Sequence, residues 1–373
     1  MTHYHIFWTK PHLGRQRGNL SMELLDFEAL TWIASALEIR KHSPMHLLTD
    51  STGKAFFKNS GLAWIYDEIS TALDDIPEDI DPAVFWDGAK MFAFQWISTP
   101  CVIIDYDAIL WREFRPEASV MALHEESRHW SFYATNKERF GPYGFDNGDW
   151  NWIINPVNTA FVYFEDETVP RHMGPRSVQF MRDYSADLRN KRAKEAGTSA
   201  VYNRATLFAG QRLLPMCAAQ VGREIRPLTR LDDDLVTVAR NPDCMHLWIS
   251  KALYRCCPEA RAAYSNYLIE RLLKQQPECR GSLSKLGLDQ PREPDPEDTL
   301  DYRKLSHTDL RRQKLKRFSL VEGDVWIEDA NLPARRLART GSLLLPGERV
   351  HRAAGSDCEI EPAEKDLQEA LTP

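Results

Sequence analysis

The chain has no apolar run of membrane-spanning length, and its start has neither a basic n-region nor an apolar h-region: Met1-Thr2-His3-Tyr4-His5 leads straight into strand-like sequence. No transmembrane segment is expected, and the cytoplasm is the expected location. A cysteine framework is also missing. The seven cysteines, an odd number without a repeated Cys-x-x-Cys, read as buried thiols, with adjacent Cys256 and Cys257 as helix-packing residues. Excess positive charge is absent too. The net charge is -7, and the basic cluster Arg311, Arg312, Lys314, Lys316, Arg317 is local and preceded by an acidic stretch, so nucleic acid is not an expected partner. No repeat recurs at solenoid periods. What remains is a 373-residue chain, 43% hydrophobic, with enough apolar content for one large core or two modest ones.

Against that background the run Cys101-Val102-Ile103-Ile104 stands out, because it is closed by Asp105-Tyr106-Asp107 before Ala108-Ile109-Leu110-Trp111. An unbroken apolar, β-branched run after Pro100 reads as a central parallel strand, and open α/β sheets bind ligands beyond such carboxyl ends. Ionised carboxylates there are costly unless a cation answers them. Two hard oxygen ligands one residue apart suit Mg²⁺ or Mn²⁺. A strand end with solvated acids is the bland alternative, and the surrounding pattern has to decide.

Tyr4-His5-Ile6-Phe7-Trp8 reads as a first strand ending at Thr9-Lys10-Pro11. A helix follows, with Ser21 as its cap and Leu24, Leu25, Trp32, Ile33, Ala36 and Leu37 on one stripe. Met45-His46-Leu47-Leu48 is a second strand ending at Thr49-Asp50, a further strand is expected around Ala63 to Tyr66, and Phe85 to Ile97 has helical periodicity. The first hundred residues thus alternate strand and helix, the pattern of an open, mostly parallel sheet flanked by helices. After Asp107 the order loosens through a turn region at Gly141 to Asp149. Thr159 to Phe164 then reads as a strand, and Pro175 to Arg189, Arg204 to Val221 and Leu247 to Leu273 as helices, the last broken by Pro258. One domain is expected over residues 1–280. Residues 281–373 read as a partly disordered extension, Pro- and charge-rich from Gln290-Pro291, in which only Leu320 to Ile327 is strand-like.

In this order and spacing the chain resembles the nucleotide-sugar glycosyltransferases of the GT-A fold, most closely glycosyltransferase family 8 and related bacterial proteins, over roughly Tyr4 to Lys251. The resemblance implies a Lys near the nucleotide-sugar at Lys90, within Phe85-Trp86-Asp87-Gly88-Ala89-Lys90-Met91-Phe92. It also implies a metal-holding Asp-x-Asp at Asp105 and Asp107, and an acceptor-side strand led by Asn158. In His246-Leu247-Trp248-Ile249-Ser250-Lys251, it makes His246 the residue that completes the metal shell and Lys251 the one that reaches a phosphate. Mn²⁺ or Mg²⁺ and a nucleotide-diphosphate sugar donor are the implied cofactor and ligand, with the acceptor unidentified. Gln211 is the implied sugar-facing, catalytic amide, and Trp8, Thr9 and Asp50 at strand ends are further donor-side candidates. The chain departs from the family in two places. Gly210 stands before Gln211 where the family has an acid, and the ending keeps His246 and Lys251 without the family's Gly. The logic of the site is chemical: a leaving diphosphate must be neutralised as the sugar-phosphate bond breaks, and a divalent ion with one or two lysines does this.

Two other classes compete. Val102 to Leu110 also looks like the first motif of haloacid-dehalogenase-type phosphatases, with Asp105 as nucleophile and Asp107 as acid/base, although those proteins carry the motif on their first strand and here about three strand-helix units precede it. A later acidic run, Asp232-Asp233-Asp234, reads as a loop. A protein that binds a nucleotide-sugar without turning it over is the second alternative, raised by Gly210. His124-Glu125-Glu126-Ser127-Arg128-His129 fails as a zinc-protease motif, because its histidines are five apart where the site needs i, i+4 on one helical face. The aromatic stretch Trp130, Phe132, Tyr133, Phe140, Tyr143, Phe145, Trp150, Trp152 reads as core or as a sugar-stacking wall.

Overall fold

β1, Thr2–Phe7, carries rings and Ile6 where a half-exposed strand would alternate polar residues, and it is buried along most of its length. The computed structural model describes residues 1–15, 24–130, 133–192, 202–230, 243–247, 251, 254–255 and 258–293, and the backbone of strand segments between 316 and 362. Ser21, Phe132, Cys256, Cys257, the run Asp232 to Asp234 and Arg311, Arg312 and Lys314 lie outside the described residues. By the density of its contacts the chain divides into two units. One holds Met1–Glu23 and Ser35–Leu231, the other Leu24–Ala34 and Asp232–Pro373.

In the first unit, β1 leads through the short α1, Lys10–Arg15, to α2, Asp26–Arg40, whose first part groups with the second unit. β2, Met45–Thr49, follows, then α3, Ser51–Asn59, and the edge strand β3, Glu68–Ser70. The strand expected at Ala63 to Tyr66 is instead a 3₁₀ turn over Ala63–Ile65. There Ile65 N–H donates to Leu62 O and Tyr66 N–H to Ala63 O, so these groups are not available to a ladder. The helix expected over Phe85 to Ile97 is regular only as α4, Gly88–Ala93, flanked by turns.

β4, Cys101–Ile104, is the central strand the apolar run predicts, buried throughout. It is followed by β5, Ala108–Leu110, and by β6, Val120–Glu125, a strand in the stretch read as loosely ordered. Next come α5, Asn136–Phe140, and β7, Val157–Phe164, all eight of whose residues are buried. α6 runs from Thr168 to Arg192 with Pro175 in its interior, beginning well before the expected start because Asp166 Oδ1 accepts the Thr168 N–H at 2.8 Å. α7, Tyr202–Leu207, a π-helical turn, Phe208–Arg212, and α8, Leu213–Gln220, then form one interrupted helix, and β8, Arg226–Pro227, closes the sheet.

The seven strands lie in the order β3-β2-β1-β4-β7-β6-β8. Their pairings are parallel except for those of β7, which runs antiparallel to both β4 and β6. The sheet is therefore open and mostly parallel, with helices around it. One consequence governs the site: the carboxyl ends of β1, β2, β4 and β6 and the amino end of β7 share one rim. Trp8-Thr9, Asp50, Asp105, Glu126 and Asn158 stand there.

In the second unit, β9, Cys244–His246, precedes α9, Pro258–Gln275, and α10, Arg280–Lys285. Tyr264 stacks on Tyr254 with ring centroids 4.6 Å apart, and its hydroxyl lies 2.9 Å from Thr31 Oγ1. β10, Lys316–Glu322, and β11, Val325–Asp329, cover the run read as strand-like, with residues 323–324 outside the described set. Four more strands appear where none was expected: β12, Arg335–Leu337, β13, Leu343–Leu344, β14, Glu348–Arg352, and β15, Asp357–Pro362. They form two separate antiparallel sheets, β13-β10-β15 and β12-β11-β14, so neither β10 nor β11 extends the seven-stranded sheet.

Candidate functional site

Asp105 and Asp107 follow β4 because its apolar run ends at the rim, where the backbone turns: Asp105 N–H still donates to Ala160 O on β7 at 2.7 Å, and Ala108 N–H returns to Asp105 O at 2.9 Å. This turn brings the two carboxylates together, one oxygen of each within 4.8 Å of the other. Asp105 is partly exposed and Asp107 is buried. A pair of hard oxygens at this separation, open on one side, fits the donor set of a divalent cation.

Lys90 on α4 is a cation that answers Asp105 within the fold. Its Nζ is 2.7 Å from Asp105 Oδ1 and 3.3 Å from Asp87 Oδ1, and it donates to Thr159 O at 3.0 Å, so each of its three protons has a partner. Burial works against the Lys90 ammonium, and the carboxylates of Asp105 and Asp87 outweigh it, so its pKa is raised above the ordinary lysine value. For Asp87 the balance is reversed. Burial and the neighbouring Asp105 and Asp107 charges overcome the pull of Lys90 and push its pKa up to about 6.

Beside this group lies a second buried polar row. Glu126, just past β6, is 2% exposed. Its Oε1 accepts from Asn158 Nδ2 at 3.0 Å, and its Oε2 is hydrogen-bonded to the Tyr133 hydroxyl. That hydroxyl also contacts the side-chain amide of Gln211, on the π-helical turn. Next to Gln211, Arg212 donates to the carbonyls of Trp152 and Ile154 and lies over the Trp152 ring, 5.6 Å from its centroid, which ties down the loop before β7. Burial lowers the Arg212 pKa to about 10.

Gly210 faces the movable end of the Met91 side chain. A Cβ there would sit 2.8 Å from Met91 Cε and 3.3 Å from its Sδ, and 3.9 Å from Asp87 Oδ2. The space in front of Gly210 already holds a thioether and a carboxylate.

The remaining expected residues divide. Thr9 and Asp50 meet at the rim: Asp50 Oδ2 accepts from Thr9 N–H at 3.0 Å and from Thr9 Oγ1 at 2.7 Å, while Oδ1 caps α3 through Gly53 N–H at 2.7 Å. Trp8 is buried beside them, and its indole N–H has no protein partner among the described residues. His246, buried at the end of β9, and Lys251, half-buried, belong to the second unit. Of the aromatic stretch, Tyr133 lies in the site. Phe140 and Phe145 pack on Phe180 and Phe208 as core. His124 lies in β6, so the zinc-protease geometry is absent.

Motif reading gave Glu126 and Asp87 no role in the site and read Tyr133 only as core or a sugar-stacking wall. Glu126 could have been found as the acid that closes a second apolar run, Val120 to Leu123, as Asp105 closes the first.

One family model matches part of the chain, and solved structures resemble it only distantly. The model of a family of unknown function, DUF6734, matches residues 1–137. No curated protein matches. The similar solved structures include three glycosyltransferases, all at low identity. The PaToxG glycosyltransferase is 11% identical with a TM-score of 0.29, over 60% of this chain and 78% of that one. The apo-form glycosyltransferase GlyE of Streptococcus pneumoniae TIGR4 is 13% identical with a TM-score of 0.25, over 56% of this chain and 43% of its own. The galactosyltransferase LgtC in complex with donor and acceptor sugar analogs is 9% identical with a TM-score of 0.27, over 57% of this chain and 70% of its own.

Proposed function

We propose that this chain is a GT-A-like, metal-dependent glycosyltransferase that moves a sugar from a nucleotide-diphosphate donor to an unidentified acceptor. One observation carries the reading: two carboxylates converge within 4.8 Å at the carboxyl rim of the central strand, backed by a buried lysine, with Asn158 and Gln211 in the polar row beside them. Asp105 and Asp107 are the proposed ligands of Mn²⁺ or Mg²⁺, and the resemblance read from the sequence proposes His246 as the third donor. The ion would supply positive charge to the diphosphate as the sugar leaves. Lys90 keeps the acidic group from carrying its full negative charge, so that an anionic diphosphate is not repelled. Lys251 is the proposed phosphate contact. Trp8, Thr9 and Asp50 are the proposed donor-side contacts, with the Trp8 indole N–H as a donor for the nucleotide. Asn158 is proposed for the acceptor side and Gln211 for the sugar. Among the described residues no helix is long and apolar enough to cross a membrane, and we place the protein in the cytoplasm as part of this proposal.

Gly210 favours a second reading, binding of the nucleotide-sugar without transfer. Incubation of the protein with Mn²⁺ and a panel of nucleotide-diphosphate sugars separates the two. Release of the nucleotide diphosphate, lost in Asp107→Ala, supports the transferase. Tight binding of a nucleotide-sugar with no release over hours supports the binding protein.

A further inference from the structure

Asp87 is a carboxylate to which the proposed function gives no task. It stands at the N-cap of α4, where an aspartate ordinarily accepts a backbone N–H of the first turn, yet its side chain makes no capping bond. It is turned to Lys90 instead, with Oδ1 3.3 Å from Nζ. Oδ2 has no protein partner among the described residues, and with the side chain 22% exposed this oxygen reaches solvent. Lys90 holds Asp105 in the same manner, by Oδ1 at 2.7 Å. One buried ammonium thus grips a single oxygen of each of two carboxylates.

Its neighbours set where the open oxygen stands. The Asp87 charge interacts with those of both Asp105 and Asp107, which puts it beside the proposed metal ligands. On the other side, Oδ2 lies 3.9 Å from the place a Cβ on Gly210 would take. A carboxylate carried one or two bonds beyond that Cβ would compete for the space around Oδ2. Gly210 carries none, and an acid next to Gln211 comes from the start of α4 instead.

We propose that Asp87 is a specificity-determining residue whose open Oδ2 accepts a hydroxyl of the bound sugar, in place of the acidic side chain that Gly210 lacks. The proposal rests on the nucleotide-sugar reading for its ligand and on the Lys90 clamp for its geometry. An ammonium only donates, so the Asp87 oxygen that faces Lys90 is an acceptor already in use. The same contact holds the other oxygen in place. A sugar hydroxyl that donates to it makes a charge-assisted bond, whereas a deoxy sugar leaves a desolvated carboxylate unpaired.

Asp87→Asn turns the clamp into a tool. Lys90 still requires an oxygen, so the Asn carbonyl faces Nζ and its NH₂ takes the place of Oδ2, replacing an acceptor by a donor at nearly unchanged shape. Asp87→Glu is the second variant, since it keeps the charge and displaces the oxygen. Affinities of the full chain are measured by calorimetry at pH 8 in Mn²⁺ for UDP-glucose, UDP-galactose and GDP-mannose against UDP and GDP, with near-UV circular dichroism to report folding. Either variant is expected to weaken whichever nucleotide-sugar binds by at least about tenfold more than it weakens the matching diphosphate. The monodeoxy forms of that sugar give the second readout. In wild type one of them is expected to bind about tenfold more weakly than its parent, and in Asp87→Asn that penalty is expected to vanish. Equal losses for nucleotide-sugar and diphosphate would make Asp87 a partner of Lys90 alone and overturn the proposal, as would deoxy penalties that persist unchanged in the variant. In both of these cases the nucleotide-sugar reading stands. If wild type binds none of the three nucleotide-sugars, that reading fails and the proposal falls with it.

Discussion

Lys90 is the residue on which the acidic group depends, since it alone among the described residues is seen to bridge Asp87 and Asp105. Removing one partner of a buried ion pair leaves the others uncompensated, so Lys90→Met is expected to cost about 3–5 kcal/mol in urea unfolding, well beyond an ordinary surface lysine. A loss under about 1 kcal/mol would mean that solvent screens the pair. Titration gives a second expectation. Burial lowers His5 to about 3 and His3 to about 4, so both stay neutral in the fold while the unfolded chain takes up protons below pH 6.5. Their stability is complete above 6.5 and lost as pH falls, at about 1.4 kcal/mol per pH unit each. Asp87 has the opposite sign: raised from 3.8 to about 6, it favours the folded state as pH falls through that window. The three together predict a net loss of roughly 1.4 kcal/mol per unit between pH 6 and 4. Unfolding midpoints that stay flat over that range would contradict the neutral histidines. The acidic pair could be read from sequence because four consecutive apolar residues end on it. Tyr133 could not be tied to Gln211, because 78 residues separate them and only the folded sheet brings them together.

At the scale of elements, α3 shows one residue serving two purposes. Asp50 caps the helix and also fixes Thr9 at the end of β1, so Asp50→Ala is expected to cost about 2–4 kcal/mol, a lost cap plus hydrogen bonds to a charged group. If Asp50 instead acts only on the donor, the variant will melt like wild type while losing nucleotide affinity. Gly53, on the first turn of α3, leaves no room for change, since a Cβ there would fall 1.9 Å from Thr49 Oγ1. The strand-helix alternation was readable at β1, α2, β2 and β4, while α3 and β3 were not expected. β6 was not: its buried run is followed at once by His124-Glu125-Glu126, which imitates a loop until Glu126 is seen to be buried. The 3₁₀ turn at Ala63–Ile65 escaped for the converse reason, since a short apolar run carries no period to tell turn from strand.

For the whole molecule, the open sheet and its acidic rim follow from a pattern that a single sequence carries. The division into units does not, because Leu24–Ala34 joins residues from 232 onward that are distant in the chain. We propose that donor binding belongs to the chain before the segment that starts near residue 281. A version ending at Glu293 keeps Arg292, whose backbone N–H donates to Asn266 Oδ1 at 2.6 Å and whose carbonyl accepts from Asn266 Nδ2 at 3.0 Å. It is expected to stay monodisperse and to bind nucleotide diphosphate as the full chain does, and one ending at residue 280 to bind equally but melt lower. Loss of binding in the longer version would make the strands after Lys316 part of the binding domain.

The central claim is that Asp105 and Asp107 bind a nucleotide diphosphate through a divalent ion. Calorimetric titration of the full chain with UDP, GDP and ADP, in Mn²⁺ and in EDTA, with wild type and Asp107→Ala side by side, tests it most directly. The account predicts that at least one diphosphate binds in Mn²⁺, that EDTA abolishes the heat, and that Asp107→Ala weakens binding by at least about tenfold. Equal affinity in EDTA, or in Asp107→Ala, would contradict it.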